Sequence, residues 1–213
     1  SEEKEFVNPY FFMRKLSKKM REKDILVGDC GGNIVITNHA FETKKGQRLI
    51  TNNGNSPMGF SFAGAMGAYL ASTKTENVVC IIGDGGFNMN IQELQTVKNY
   101  NLNFKTFILN NNSYGIIKAF QKTNLGGRFL ASGPEGYTSP NFIDISKAYG
   151  VKTIEIKNNN EMDEKIKEVL SYEGPVICNV DIGKWEIYEP RIFGANPIED
   201  MYPYLDREEF RKN

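Results

Sequence analysis

Residues 83–116, GDGGFNMNIQELQTVKNYNLNFKTFILNNNSYGI, begin with an aspartate held between glycines and end near three successive asparagines. Each polar group follows a short apolar run rich in β-branched or aromatic residues, 78–82 and 104–109, and the residues between them carry a helical period. The stretch therefore reads as the end of one strand, a helix and a second strand. In a parallel sheet, ligands bind beyond the carboxyl ends of the strands, where loops lead into helices. Neighbouring strands ending in Gly83-Asp84-Gly85-Gly86 and Asn110-Asn111-Asn112 would bring a carboxylate and carboxamides to one edge.

The same alternation continues outward. Segments 25–27, 49–51, 78–82, 104–109, 151–156 and 176–182 read as strands, with helices near 9–21, 57–72, 90–100, 114–122, 139–149 and 160–172. This order predicts a doubly wound α/β domain: a mainly parallel sheet of about six strands with right-handed crossovers and helices on both faces. Residues 126–140, GGRFLASGPEGYTSP, are dense in Gly, Ser and Pro and read as a long loop of a length that is often functional. The domain is expected to occupy 1–183. Residues 184–213 are expected to form an extended tail on the domain or on a neighbouring subunit.

Bulk composition narrows the partners. Lys+Arg and Asp+Glu both number 26, so no global charge favours nucleic acid or an anionic membrane. With 40% hydrophobic residues in 213, the chain can bury a sizeable core. Cys30, Cys80 and Cys178 are far apart and suggest neither a metal pattern nor a disulfide framework, so a reduced, cytoplasmic protein is expected. No apolar run approaches the roughly 18 to 20 residues of a membrane span, and SEEKEFVNPY lacks the features of a signal peptide. A chain starting at Ser1 is also compatible with a piece of a longer polypeptide.

A hard cation such as Mg²⁺ takes oxygen ligands, commonly one or two from protein and the rest from phosphate and water. Asp84, an asparagine and a backbone carbonyl supply such oxygens, and the flanking glycines let backbone N–H groups approach a diphosphate. Taken alone, Gly-Asp-Gly is equally an ordinary turn, and Asn110 to Asn112 equally a helix cap. The pair is more specific: 24 residues separate Gly-Asp-Gly from Asn-Asn across the strand-helix-strand unit.

That pattern resembles the signature of thiamine-diphosphate-dependent enzymes, and FNMNIQEL resembles their acetolactate-synthase-like branch. NPYFFMRKLS, DILVGDCGGN, SPMGFSFAGAMGA and NPIEDMYPYLDREEF also resemble segments of the family's C-terminal, diphosphate-binding domain, and YGIIKAFQ to KAYG resembles its relatives in surface-polysaccharide synthesis. The resemblance implies thiamine diphosphate and Mg²⁺ as cofactors. Asp84 and Asn111 would be side-chain metal ligands and the Ser113 carbonyl a third, with Asn110 supporting the turn. Gly32, Asn33, Gly85, Gly86, Gly115 and Ile116 would receive the diphosphate. Met58 would prop the bent cofactor and the Ser56 carbonyl would accept from its 4′-amino group. Ile117 and Phe120 would face substrate, Phe120 standing where acetolactate synthase has tryptophan.

The resemblance further implies a 2-oxo acid decarboxylase or carboligase whose activating glutamate lies on a separate pyrimidine-binding domain. Nothing in these residues matches that domain, and Glu93 reads as a helix-face carboxylate. The other half of the site is therefore expected on a missing part of the chain or on a partner subunit, with homo-oligomerisation and an inactive isolated chain. A split decarboxylase subunit and a non-catalytic Mg-nucleotide-binding module are the alternatives. His39, the only histidine, and Cys30 are left without a catalytic role; Met58 also reads as an ordinary core residue, and 160–172 as a solvated helix.

Overall fold

A strand in the middle of a parallel sheet must be apolar on both faces. The computed structural model, which describes residues 5–192 and 196–212, has such a strand in β3 (Val78–Gly83). Val79 and Ile81 enter the core on one face, and Val78, Cys80 and Ile82 the core on the other. Around it lie β1 (Ile25–Gly28), β2 (Arg48–Ile50), β4 (Lys105–Asn110), β5 (Lys152–Ile156) and β6 (Val176–Asp181). The order is β2-β1-β3-β4-β6-β5 and every pairing is parallel. This is the doubly wound α/β sheet expected from the alternation of apolar runs.

Handedness decides which face each helix covers. Steps from β2 to β3, β3 to β4 and β4 to β5 run one way across the sheet, and α3 (Phe60–Ala71), α4 (Asp84–Met89), α5 (Leu94–Asn99) and α7 (Phe142–Ala148) bury Phe62, Phe87, Leu94, Val97 and Phe142 on one face. Steps from β1 to β2 and β5 to β6 run the other way. Their helices, α2 (Gly32–Ala40) and α8 (Met162–Ser171), join α1 (Pro9–Lys19) on the opposite face. Right-handed crossovers require this division. Because the chain leaves β1 and β3 in opposite directions, a crevice opens between their carboxyl ends.

Several boundaries differ from the sequence reading. Residues 32–40 are helical, where the sequence reading places no helix; GNIVITNHA is rich in β-branched residues that lower helix propensity, and burial of Ile34, Ile36 and Thr37 overrides it. The segment 90–100 is divided into a 3₁₀ turn, Ile91–Glu93, and α5, and it is preceded by α4, whose first residue is Asp84. α3 starts at Phe60 because Gly59 adopts φ 87°, a left-handed conformation that glycine takes without strain. The loop 126–140 contains one 3₁₀ turn, Leu130–Ser132. Residues 184–213, where described, run mostly without regular structure, with an Arg191–Tyr202 bridge and a short helix, α9 (Arg207–Lys212).

At the end of the sheet away from the crevice, the fully buried Lys105 ammonium donates to the carbonyls of Tyr172 (2.6 Å) and Gly174 (2.7 Å) and to Asn103. Burial lowers its pKa to about 8. Among the described residues no helix is long and apolar enough to cross a membrane.

Phe87 ties α4 to the core: its ring meets Phe62 edge-on at 5.1 Å and Phe142 at 5.2 Å. Phe87→Ala would leave a cavity three residues from Asp84. The variant is expected to lose about 3–5 kcal/mol of stability, measured by urea unfolding.

Candidate functional site

Three loops meet at the crevice, one after each of β1, β3 and β4, and they enclose a cavity of about 160 Å³. From β1 come Gly32 and Asn33, and from β3 come Asp84, Gly85 and Gly86. The loop after β4 and the start of α6 (Gly115–Asn124) contribute Asn111, Ser113, Gly115, Ile116 and Ile117. Met58 closes the wall from the turn before α3. Ser56 and Phe120 are not on this wall. Ser56 lies in a left-handed turn (φ 47°) with its amide donating to the Asn52 carbonyl at 2.7 Å. Phe120 is 59% exposed, one turn beyond Ile117 on the same helical face and past the rim.

Asp84 joins two of the loops. One carboxylate oxygen accepts from the Gly85 amide at 2.9 Å and the other from the Ser113 amide at 3.2 Å. Burial is the larger influence and pushes its pKa up to about 7 against the pull of these two donors. Tyr137, from the long loop, packs on Tyr114 with the rings tilted and their centroids 4.2 Å apart, and its buried hydroxyl faces Asp84 without reaching hydrogen-bond geometry. The phenol is thereby held protonated, chiefly by burial and then by the charge of Asp84.

Each asparagine has a distinct task. Asn110 donates to Asn179 on β6 (3.1 Å) and accepts from the Asn112 amide (3.0 Å), which fixes the turn. Asn112 takes φ 51°, a conformation asparagine tolerates, and its side chain accepts from the Ser139 amide at 2.6 Å and hydroxyl at 3.0 Å. Asn111 donates its nitrogen to the Trp185 carbonyl (3.0 Å), which leaves Oδ1 without a protein donor among the described residues. The Ser113 carbonyl accepts from the Gly115 amide at 2.9 Å, so that amide is already engaged, while the carbonyl keeps a second lone pair.

The resulting donor set is one carboxylate with neutral oxygens. Among the described residues no cluster of three His, Cys, Asp or Glu side chains could hold a metal. Sparse ligation of this kind suits a hard cation that completes its shell with phosphate and water. α2 and α6 begin at this cavity without side-chain caps, so their first-turn dipoles favour an anion. Asn33 donates to the Cys30 carbonyl at 2.5 Å, and its buried Oδ1 has no partner among the described residues, leaving an acceptor for a donor such as metal-bound water. A Cβ on Gly85 would lie 2.9 Å from the Met58 methyl and 2.6 Å from the Tyr114 ring, so glycine is needed for this close approach.

Asp29 is a further site residue that the sequence reading passes over. Its buried carboxylate accepts from Gly59 (3.2 Å) and Ser61 (2.9 Å), capping α3 and holding Met58 against Gly85. The signal is present in the chain: Gly28-Asp29-Cys30-Gly31-Gly32 echoes Gly83-Asp84-Gly85-Gly86 at the end of a neighbouring strand. The two unassigned residues do have partners or an explanation. His39 Nδ1 lies 3.3 Å from the Tyr10 hydroxyl, and the Cys30 thiol is pushed up to about 12, mainly by burial. Glu93 accepts from Thr96 (2.9 Å) on its own helical turn. Met58 is 38% exposed and lines the cavity, so it is not an ordinary core residue.

A family model described as "Thiamine pyrophosphate enzyme, C-terminal TPP binding domain" matches residues 29–180. The chain belongs to this family. The match begins at Asp29 and ends on β6, so it contains all three loops around the cavity. Curated relatives of the domain include a probable acetolactate synthase large subunit of Methanococcus aeolicus, 32% identical over 76% of this chain and 27% of the relative. The probable large subunit of Methanocaldococcus jannaschii is 32% identical over 83% of the chain and 30% of the relative. The acetolactate synthase large subunit of Lactococcus lactis is 29% identical over 92% of the chain and 33% of the relative. This domain of a thiamine pyrophosphate enzyme thus spans about a third of the relatives it matches, and it is of acetolactate-synthase-like type.

The raised pKa of Asp84 makes the ligand-free domain sensitive to pH. In the unfolded chain the carboxyl ionises near its ordinary 3.8, whereas in the fold it does so near 7, so stability falls as pH rises through this window. Asp84→Asn should remove the penalty. At pH 8 without ligand the variant is expected to be about 2–4 kcal/mol more stable than the wild type, with the gain vanishing below about pH 4 in urea titrations.

Proposed function

We propose that this domain holds the diphosphate of thiamine diphosphate through Mg²⁺ and acts in the decarboxylation or carboligation of a 2-oxo acid. The observation that carries the reading is the meeting of Asp84, Asn111 Oδ1 and the Ser113 carbonyl at a cavity where two uncapped helices begin. Asp84 and Asn111 would bind the metal by their side chains and Ser113 by its carbonyl. Gly32, Asn33, Gly86 and Ile116 would offer backbone amides to the phosphates, while Gly85 and Gly115 could do so only by releasing the Asp84 carboxylate and the Ser113 carbonyl.

When bound, thiamine diphosphate supplies a carbon nucleophile and an electron sink for the bond broken at the 2-oxo acid. The chain's own residues orient it. Met58, pressed against Gly85 and held there by Asp29, would fix the bend between the two rings. Ile117, 52% exposed at the mouth, and Phe120 beyond it would present an apolar surface to the substrate and exclude water. The acid that activates the aminopyrimidine would come from a pyrimidine-binding domain, on another part of the polypeptide or on a partner subunit, within a homo-oligomer. Three free cysteines with raised pKa values suit a reducing, cytoplasmic setting.

Calorimetric titration with thiamine diphosphate tests this reading. Wild type is expected to bind in Mg²⁺ and at least tenfold more weakly with EDTA or as Asp84→Ala, and to show no pyruvate decarboxylation by itself. Absence of Mg²⁺-dependent binding, alone and with a candidate pyrimidine domain, would refute it.

A further inference from the structure

Beyond β6 the chain turns back over the cavity as a strap, residues 184–190, fixed on both sides of Tyr188. On the α6 side Glu186 pairs with Lys118 at 2.6 Å, both side chains largely covered, and the Trp185 carbonyl accepts from Asn111. On the α1 side the Tyr10 hydroxyl donates to the Glu189 carbonyl and accepts from the Glu189 amide, each at 3.0 Å. Between these anchors the Tyr188 side chain enters the cavity.

Tyr188 is 7% exposed, and its hydroxyl sits between Gly32 and Gly115, where a Cβ on either glycine would strike it. Those glycines begin α2 and α6, of nine and ten residues, neither with a side-chain cap. Among the described residues nothing hydrogen-bonds to this hydroxyl. The phenol faces the cavity as a donor without a protein acceptor, and burial, reinforced by the charges of Glu186 and Asp84, keeps its proton in place. The position therefore calls for an acceptor, and the two helix N-termini call for an anion. Met58 lines the same cavity, against Gly85.

We infer that Tyr188 is a cofactor-binding residue whose hydroxyl donates to the terminal phosphate of the diphosphate, held between Gly32 and Gly115. The inference rests on the proposed function and assigns the strap a direct part in recognising the phosphate end. It makes the site discriminate by phosphate, with Met58 and Tyr188 gripping the cofactor from its two ends.

Titration of Mg²⁺-thiamine diphosphate, Mg²⁺-pyrophosphate and unphosphorylated thiamine into the whole chain, wild type and Tyr188→Phe, tests it. The phenylalanine keeps the ring, and matching urea midpoints establish that the variant is folded. Loss of a hydrogen bond to a charged group predicts about tenfold or greater weakening for both phosphate ligands and no change for thiamine. Equal affinities in the two proteins would overturn the inference and leave the proposed function standing. Tighter binding by Tyr188→Phe or Tyr188→Ala would overturn it too, making the side chain a plug in the cradle. If wild type binds neither phosphate ligand with Mg²⁺, both alone and with a candidate pyrimidine domain, the proposed function falls and the inference falls with it.

Discussion

The carboxylate of Asp84 accepts from Gly85 on its own loop and from Ser113 on the loop after β4, and the rest of the site is arranged around that bridge. A buried carboxylate between two amides fixes the separation of two strand ends more tightly than loop entropy alone allows. It leaves both oxygens at a wall where Asn111 and the Ser113 carbonyl also sit. Asp29 repeats the device one strand away, between Gly59 and Ser61, and thereby sets Met58. Two acidic turns, each spent first on backbone amides, shape the same crevice.

The bridge is possible because the sheet reverses its winding between β1 and β3. Had α2 crossed on the same face as α3, the loop carrying Gly32 would have no opening to line. The Asn110 and Asn112 contacts extend the order outward, tying the turn to β6 and to Ser139 of the long loop. Three consecutive asparagines thus hold a strand, a cavity wall and a covering segment in one short stretch.

β1, β3, β4 and β6 were legible in the sequence because each is a short, mainly apolar run buried on both faces, as in VVCIIG. α2 was not, because GNIVITNHA has strand-like residues whose helical state is imposed by burial and by the left-handed Gly31 before it (φ 68°). α4 was hidden similarly behind two glycines, its helix held by the Phe87 anchor. At the site, Asp84, Asn111 and Ser113 follow from spacing and resemblance, because their loops are local. Tyr188 and Tyr137 carry no such signal. Each reaches the cavity from a segment without period, the strap and the long loop, and only the tertiary path brings it there.

Lys105 and Asn110 are the two ends of β4, and five residue steps put them about 17 Å apart. A buried ammonium thus stands at one edge of the sheet and an oxygen-lined cavity at the other. Because both are buried, salt screens them little, and distance alone weakens their coupling, to about 1 kcal/mol per unit charge at an effective dielectric constant of about 20. The strand acts as a spacer: a charge that enters or leaves the cavity perturbs the ammonium that pins the turns before β4 and β6 by only about that much.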